Sequence, residues 1–322
     1  MAKTPASKNR PAPTRAPAKG GRPAGRVPAR GGRPAGLFTW LAVGLVIIVV
    51  ATLVIIKVTS GGTAGGGARS FQPTDPTTFK EVTTVPASVF NTVGVTSPVA
   101  PVIAPQAVKG QSELKTTNFA GTTVPEILYI GAEFCPYCAA QRWPTIIALS
   151  RFGTWGGLGN MSSYSGVEDP NTPSFTFVHA TYKSKYIAFK GVEEATNYID
   201  AATNYYALLQ RPTAAENALI AKYDNSTYIK GFGTFNGGIP FMTLANKFLV
   251  GGSSSYSPAT LSGTTRNQIA AGLSNATSPI TEAIIASANY QSAAICSLTS
   301  NQPSSVCTSV GVKTAAKAMG LK

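Results

Sequence analysis

The segment "LFTWLAVGLVIIVVATLVII", residues 37–56, places the tightest limit on how this chain can be built. Its twenty residues carry no charged side chain. A helix rises about 1.5 Å per residue, so a helix of this length spans the ~30 Å hydrocarbon core of a bilayer. A cleaved signal peptide would have an apolar region of only about 7–15 residues and a clear A-x-A site after it, which the sequence lacks. The segment is therefore predicted to be a transmembrane anchor that stays uncleaved.

The segments on either side of this anchor differ in composition. Residues 1–36 contain nine basic and no acidic residues among many Pro, Ala and Gly, so this tail is predicted to be disordered. Because basic residues mark the cytoplasmic side, the tail is predicted to be cytoplasmic and the chain after Lys57 extracytoplasmic. Residues 57–78, rich in Gly, Ser, Thr and Pro, are predicted to be a flexible linker. Residues 79–322 then form the exported domain.

The formal net charge of +14 does not indicate nucleic-acid binding. Beyond Lys57 the chain has 17 basic and 13 acidic residues, a net of +4, and no basic stripe interleaved with aromatic residues. Nucleic acid is therefore not a predicted partner of the exported domain. For the tail, contact with anionic lipids or nucleic acid is the alternative to a role in membrane topology alone.

Strand and helix signals alternate along the exported part. In chain order they are a short helix at Ala87–Val93, a buried strand at Glu126–Phe134, a helix after it, a strand at Ser174–Tyr182, a helical insert at about 192–223, a hairpin turning at Asn246 and Lys247, and a closing helix at Thr264–Ser274. This order predicts an α/β fold with a mixed central sheet and a helical insert.

Two cysteines, Cys135 and Cys138, stand two residues apart where the predicted central strand gives way to a helix. A zinc site would need two further ligands. The chain offers one histidine, His179, expected as a partly buried sheet residue, and two distant cysteines. Neither a metal nor a cofactor is therefore predicted. The remaining interpretations of Cys135 and Cys138 are a structural disulfide that acts only as a staple and a redox-active pair.

The redox interpretation has a physical basis in the helix that follows. If this helix begins at Cys135, Pro136 occupies the first turn, where its missing N–H costs nothing. Cys135 then lies at the positive end of the helix dipole, which favours a thiolate, and such positions lower a cysteine pKa from ~8.5 to about 3.5–7.5. Cys138 follows one turn later on the same face. Cys135 is thus predicted to be the exposed reacting sulfur and Cys138 the resolving one.

Two motifs resemble the thioredoxin superfamily. "EILYIGAEFCPYCAAQRW", residues 126–143, is similar to its active-site strand, turn and helix, and "GGIPFMTLANKFLVGG", residues 237–252, to its second signature. In that superfamily a cis-proline opens the strand facing the cysteines, and Pro240, preceded by Ile239, matches it. The resemblance implies a thioredoxin-like fold, a cis bond at Pro240, and a main chain at Ile239 that pairs with an extended substrate segment beside Cys135.

The resemblance covers about Lys115 to Ser274. The predicted insert makes the chain resemble exported disulfide oxidoreductases of the DsbA and DsbG type more than small thioredoxins. Together with the anchor, the exported part resembles a prokaryotic family of membrane-tethered thioredoxin-like proteins that carry a domain of unknown function.

The sequence also departs from that superfamily. Many thioredoxins carry a buried carboxylate six positions before the first cysteine, where this chain has Tyr129. Glu133 could take over its role in proton transfer, or be a solvated residue at the sheet edge. The dipeptide Pro136–Tyr137 is typical of glutaredoxins, but an extracytoplasmic site does not imply glutathione use. Tyr137 is expected on the contact surface around Cys135.

The second cysteine pair, Cys296 and Cys307, lies in a C-terminal extension at residues 275–322. A structural disulfide is predicted here, because the extracytoplasmic side is oxidising. Closing a loop of this size is worth roughly 3 kcal/mol in the chain-entropy model. A pair that shuttles electrons to Cys135 and Cys138 is the alternative.

These observations predict a membrane-anchored extracytoplasmic thiol–disulfide oxidoreductase that forms disulfides in exported proteins. Its expected partners are exported proteins with thiols or disulfides and a membrane protein that recycles the redox pair. One alternative is an exported thiol reductase, for example in cytochrome maturation. The other is a non-enzymatic binding module of the cell envelope, with the thioredoxin fold and a cysteine pair that is only a staple.

Overall fold

The computed structural model describes residues 71–96 and 101–321. The predicted tail and transmembrane segment, and most of the predicted linker, lie outside these residues. Among the residues described, no helix is both long enough and apolar enough to cross a membrane.

The described chain alternates helices and short strands. The helices are α1 (Pro76–Thr83), α2 (Ala87–Val93), α3 (Pro136–Ser150), α4 (Ala214–Tyr223), α5 (Arg266–Gly272), α6 (Pro279–Leu298), α7 (Ser304–Cys307) and α8 (Val310–Ala318), with a 3-10 turn at Pro258–Leu261. The strands are β1 (Gln106–Ala107), β2 (Lys115–Thr117), β3 (Thr123–Gly131), β4 (Thr154–Gly156), β5 (Gly159–Ser162), β6 (Pro173–Thr176), β7 (Thr181–Lys183), β8 (Ala188–Glu193), β9 (Ala195–Asp200), β10 (Tyr205–Leu208), β11 (Phe241–Leu244) and β12 (Phe248–Val250).

A mixed sheet forms the centre of the fold, with β3 in its middle. β8 pairs parallel to β3 on one side and β11 antiparallel on the other. The hairpin partner β12 and the short β1 extend the sheet beyond β11, and β2 pairs with the first residues of β3. The predicted α/β class with a mixed sheet is therefore confirmed.

Side chains of β3 alternate between two apolar layers, as the period of a strand requires. Ile127 and Tyr129 point to the larger core, which α3 and α6 cover. Leu128 and Ile130 point to a smaller core beneath α4. The end of β3 thus lies between two packed layers, where the chain turns into α3.

The predicted helical insert at about 192–223 is only partly correct. Residues 195–200 and 205–208 form the antiparallel hairpin β9/β10, and only Ala214–Tyr223 is helical. The segment "ATNYID" contains three residues with high β-propensity, Thr196, Tyr198 and Ile199, which suits a strand. Asn204, with a φ of 54°, lies in the turn of the hairpin. A capping box of Thr213 and Glu216 begins α4 at Ala214, about twenty residues after the predicted start of the insert.

The predicted linker ends earlier than expected, because folded structure precedes Phe79. Asp75 accepts a hydrogen bond from the N–H of Thr78 and caps α1, whose first residue is Pro76. Pro73 also forms a bridge to Gly159. The domain therefore includes the last residues that composition alone assigned to the linker.

The predicted strand at Ser174–Tyr182 is also divided. β6 ends at Thr176, and the chain turns before β7 begins. His179, expected to be partly buried in a sheet, is exposed in that turn, and its ring centroid lies 4.6 Å from that of Phe71. The parallel partner of β3 is β8, which the sequence pattern did not reveal.

The C-terminal extension packs on the larger core. A disulfide joins Cys296 in α6 to Cys307 in α7, as predicted, with a Cα–Cα distance of 5.6 Å. Asn289 of α6 holds this region to the N-terminal helices. Its Nδ2 donates to the carbonyls of Phe90 at 2.9 Å and Gly94 at 2.7 Å, and its Oδ1 accepts from Arg151 at 3.2 Å.

Asn289→Leu is expected to lower the free energy of unfolding by about 2–4 kcal/mol, because it removes three hydrogen bonds and leaves the buried carbonyl of Gly94 without its donor. Denaturant unfolding followed by circular dichroism measures the change. Gln291→Met in the same helix is the matched control, since Gln291 is equally buried but its Nε2 has no hydrogen-bond partner. An equal loss of stability in both variants would contradict a role for the Asn289 hydrogen bonds.

Candidate active site

The first turn of α3 brings Cys135 and Cys138 together. Cys135 is the N-cap residue and Pro136 is the first helical residue, as the sequence predicts. The Cys135 Sγ accepts a hydrogen bond from the N–H of Cys138 at 3.2 Å. Both cysteines are free thiols. The prediction that Cys135 is exposed is wrong, because it is buried with 5% of its surface accessible; Cys138 is fully buried, so Cys135 is still the sulfur nearer the surface.

The two thiols differ in acidity. Hydrogen bonds from the side chain and the main-chain N–H of Cys138 lower the pKa of Cys135, against the opposing effect of burial, and Arg142 lowers it further. Burial raises the pKa of Cys138 well above its usual value, and its hydrogen bond to Cys135 adds to the rise. Cys135 is therefore the sulfur that more readily forms the thiolate.

A buried ion pair lies beneath the cysteines. The guanidinium of Arg142 in α3 contacts both carboxylate oxygens of Glu193 at the end of β8, with Nε–Oε1 at 2.8 Å and Nη2–Oε2 at 2.5 Å. Both side chains are completely buried. Arg142 also donates to the carbonyl of Ala132 at 2.9 Å, just before the cysteine motif. A fixed positive charge thus stands behind the pair of thiols.

The loop before β11 faces Cys135. The Ile239–Pro240 peptide bond is cis, as the resemblance to thioredoxins implies. The Cys135 thiol donates to the carbonyl of Ile239 at a sulfur–oxygen distance of 3.6 Å. Pro240 is buried, while Ile239 is partly exposed. The structure therefore brings Cys135, Ile239 and Pro240 together, as the two sequence motifs predict.

Aromatic side chains border the site. Phe134 stacks on Tyr206 of the β9/β10 hairpin with ring centroids 4.0 Å apart, and Tyr164 meets Tyr206 edge-on at 5.4 Å. Tyr137, expected on the contact surface, is partly exposed and donates its hydroxyl to Glu168. That hydrogen bond, above all, raises the pKa of Tyr137 to about 12.

Tyr129, where the usual carboxylate is missing, and Glu133, the candidate for its role in proton transfer, have different surroundings. Tyr129, at the position of the missing carboxylate, is completely buried, and its hydroxyl has no hydrogen-bond partner. Glu133 is partly exposed and lines a cavity of about 600 Å³ together with Thr176 and Arg266. Burial raises the pKa of Glu133.

Within residues 71–96 and 101–321, no three His, Cys, Asp or Glu side chains are grouped so that they could hold a metal ion.

A comparison with protein families identifies the domain that contains this site. The family model described as "Domain of unknown function (DUF929)" matches residues 111–297, more than half of the 322 residues. The chain belongs to the DUF929 family. No curated protein and no solved structure matches the chain. The DUF929 match contains both cysteines of the α3 motif, the Ile239–Pro240 bond and Cys296, but not Cys307.

The sequence reasoning missed the ion pair of the DUF929 domain. Arg142 follows Cys138 by four residues, a spacing that places two side chains on the same face of a helix. That spacing was a signal for Arg142. Glu193 lies 51 residues further on, at the end of a strand that the sequence did not indicate. Only the parallel pairing of β3 with β8 brings the carboxylate under the cysteines.

Proposed function

We propose that the DUF929 domain of this protein has a thioredoxin-like fold and catalyses thiol–disulfide exchange through Cys135 and Cys138. One observation carries the proposal: an acidified thiol at the N-terminus of α3 faces the cis bond at Pro240, with a second thiol one turn behind it. Inert structural thiols have no need of this asymmetry in acidity.

The order of the strands supports the fold proposal. The unit β3–α3–β8 contains the cysteine motif and a parallel strand pair, and the antiparallel hairpin β11/β12 adds to the other side of β3. The cis-proline stands directly before β11, where the thioredoxin resemblance requires it. The cysteine motif, β11 and the cis-proline therefore lie next to one another in space, in an arrangement that fits the thioredoxin resemblance of the sequence.

The reaction would proceed by two exchanges of a sulfur partner. In the oxidising direction, a substrate thiolate attacks Cys135 of the Cys135–Cys138 disulfide, and Cys138 leaves as a thiolate that takes up a proton. A second substrate thiolate then attacks the substrate sulfur of the mixed disulfide and releases Cys135 as a thiolate. The substrate loses two electrons and forms a disulfide, and the enzyme gains them as a dithiol.

The lowered pKa of Cys135 favours the oxidising direction. A stabilised thiolate makes Cys135 a good leaving group from the mixed disulfide and stabilises the reduced enzyme, which makes the disulfide form a stronger oxidant. We further propose that the domain is tethered outside the cytoplasm by the segment 37–56, with its N-terminus in the cytoplasm. A membrane redox protein would reoxidise the pair after each reaction with an exported protein.

The binding module of the cell envelope is the second candidate. The exposed fraction of Cys135, 5%, is the observation that favours it, because an inaccessible sulfur could only form a staple. Opening of the aromatic border or of the loop at Ile239 would be needed for a substrate to reach the sulfur.

A redox titration of the full-length protein tests the proposal. The protein is equilibrated against a glutathione series, and the fraction of reduced Cys135 is read by mass-tagging, with Cys135→Ser as the control. We expect a potential near that of strong exported oxidants, about −120 mV, rather than the value of about −270 mV typical of thioredoxin. A value near the lower figure would indicate a reductase. If Cys135 neither exchanges with glutathione nor reacts with the mass tag after reduction, the enzyme hypothesis is refuted in favour of the binding module.

A further inference from the structure

A buried aspartate lies behind the loop that carries Ile239. Asp224, the residue after α4, is 1% exposed. Its main-chain oxygen accepts the N–H of Gly237 at 2.6 Å, and its Oδ2 accepts the N–H of Gly238 at 2.7 Å. Asp224 therefore holds, through its main chain and its side chain, the two residues that precede Ile239.

Besides Asp224, an isolated antiparallel bridge between Asn225 and Asn236 holds the residue that precedes these two glycines. Gly237 has a φ of +86°, a conformation that L side chains rarely adopt, and no atom lies within 4 Å of the place where a Cβ of either glycine would stand. The next residue, Ile239, is the one whose carbonyl accepts from the Cys135 thiol. The hydrogen bonds of Asp224 thus set the position of the main chain beside the reacting sulfur.

The carboxyl group of Asp224 is held in apolar surroundings. Its Oδ1 is buried without a hydrogen-bond partner. A Cβ placed on Gly251 would meet this oxygen at 3.0 Å and the Ile229 side chain at 2.5 Å. The salt bridges found among the described residues do not include Asp224, and the neighbouring Lys222 places its ammonium over the Tyr223 ring at 4.9 Å.

Burial raises the pKa of Asp224 to about 6, while the N–H of Gly238 acts in the opposite direction. Because the folded-state pKa lies above the usual value of 3.8, ionisation of Asp224 costs global stability as the pH rises through about 6. Ionisation has the opposite effect on the hydrogen bond from the Gly238 N–H, because this bond is stronger to a carboxylate than to a neutral carboxyl. An ionised Asp224 therefore holds the loop more firmly at a cost to the fold.

We propose that Asp224 is a positioning residue of the exchange site, whose carboxylate holds residues 237–239 beside Cys135 for pairing with a substrate main chain. Protonation weakens that hold, so the loop is firm at neutral pH and loose in acid. The inference rests on the proposed exchange function and deepens it, since it names the residue that positions the main chain at Ile239 for pairing with an extended substrate segment.

Hydrogen exchange of the full-length reduced protein tests the tether directly. The amides of Gly237 and Gly238 are compared at pH 5 and pH 8, after correction for the intrinsic exchange rate, in the wild type and in Asp224→Asn. We expect wild-type protection to fall roughly tenfold from pH 8 to pH 5, the difference between a charge-assisted and a neutral hydrogen bond. Asp224→Asn should show the lower protection at both values, without loss of global stability at pH 8.

Asp75→Asn is the matched control, because Asp75 also accepts a main-chain N–H, that of Thr78 at 3.0 Å. Hydrogen bonds from Thr78 lower the pKa of Asp75, so it stays ionised at pH 5. Its variant should behave as the wild type does at Gly237 and Gly238. Protection in Asp224→Asn that equals the wild type at both pH values would overturn the proposal.

Exchange kinetics at pH 8 separate this inference from the proposed function. In Asp224→Asn we expect the KM for an extended peptide disulfide to rise roughly tenfold, with the rate toward 2-hydroxyethyl disulfide unchanged. An equal loss with both disulfides would make Asp224 a structural residue and overturn the positioning role. A wild type that reacts with neither disulfide would refute the exchange function, while the amide measurement would still decide whether Asp224 holds the loop.

Discussion

Arg142→Met is expected to lower the free energy of unfolding by about 3–5 kcal/mol, because it leaves the Glu193 carboxylate buried and unpaired. Both side chains of this pair are completely buried, so water cannot replace the lost partner. The carboxylate keeps only the N–H of Phe177, at 3.3 Å, as a hydrogen-bond donor among those found. Denaturant unfolding of the reduced proteins measures the loss.

A double-mutant cycle separates the structural part of this effect from the electrostatic part. In Arg142→Met/Glu193→Leu no charge is left unpaired, and apolar side chains fill the space, so much of the stability should return. The acidity of Cys135 should not return, because the positive charge of Arg142 lowers its pKa and is absent from both variants. Alkylation of Cys135 at neutral pH should therefore be slower than in the wild type in both.

Thr243→Val is a useful control for this cycle. Thr243 is completely buried in β11 next to β3, but its hydroxyl bonds to Asn246 within the hairpin turn and not to the ion pair. It should cost stability without changing the alkylation rate of Cys135. An Arg142→Met protein that unfolds at the wild-type denaturant concentration would contradict a stabilising role for the ion pair of Arg142 and Glu193.

The parts of the fold that local chemistry determines could be predicted from the sequence. The start of α3 follows from Cys135 and Pro136, and the hairpin β11/β12 follows from two apolar runs around a turn in which Ala245 and Asn246 have positive φ. Apolar periodicity likewise indicated β3. In each case the residues that contact one another are also close in sequence, so a local sequence pattern is enough to predict the element.

The parts that depend on distant pairing could not be predicted. The sequence predicts a helical insert where the hairpin β9/β10 lies, because both strands are short and Phe134, on which Tyr206 stacks, is 72 positions earlier in the sequence. Glu193 is a charged residue at the end of β8, and its complete burial depends on the contact with Arg142, which lies far away in sequence. Asp224 likewise shows its role only through the fold of the loop at Gly237 and Gly238.

Cys135→Ser is expected to reduce thiol–disulfide exchange to the uncatalysed background, because the serine hydroxyl does not ionise near neutral pH and cannot form the mixed disulfide. Cys138→Ser should behave differently. It keeps the acidified sulfur at the helix N-terminus but lacks the buried thiol that resolves the intermediate, so a mixed disulfide with the substrate should accumulate. Non-reducing gel electrophoresis and intact mass, after incubation with a disulfide-bonded model protein, distinguish the two variants.

The roles of the two sulfurs follow from their surroundings and can be tested without a substrate. Hydrogen bonds from Cys138 lower the pKa of Cys135, whereas burial raises the pKa of Cys138. Alkylation of the reduced, folded wild type should therefore modify Cys135 first. Cys138 should react only when denaturant exposes it. Preferential labelling of Cys138 would reverse the assignment and make Cys138 the sulfur that meets the substrate.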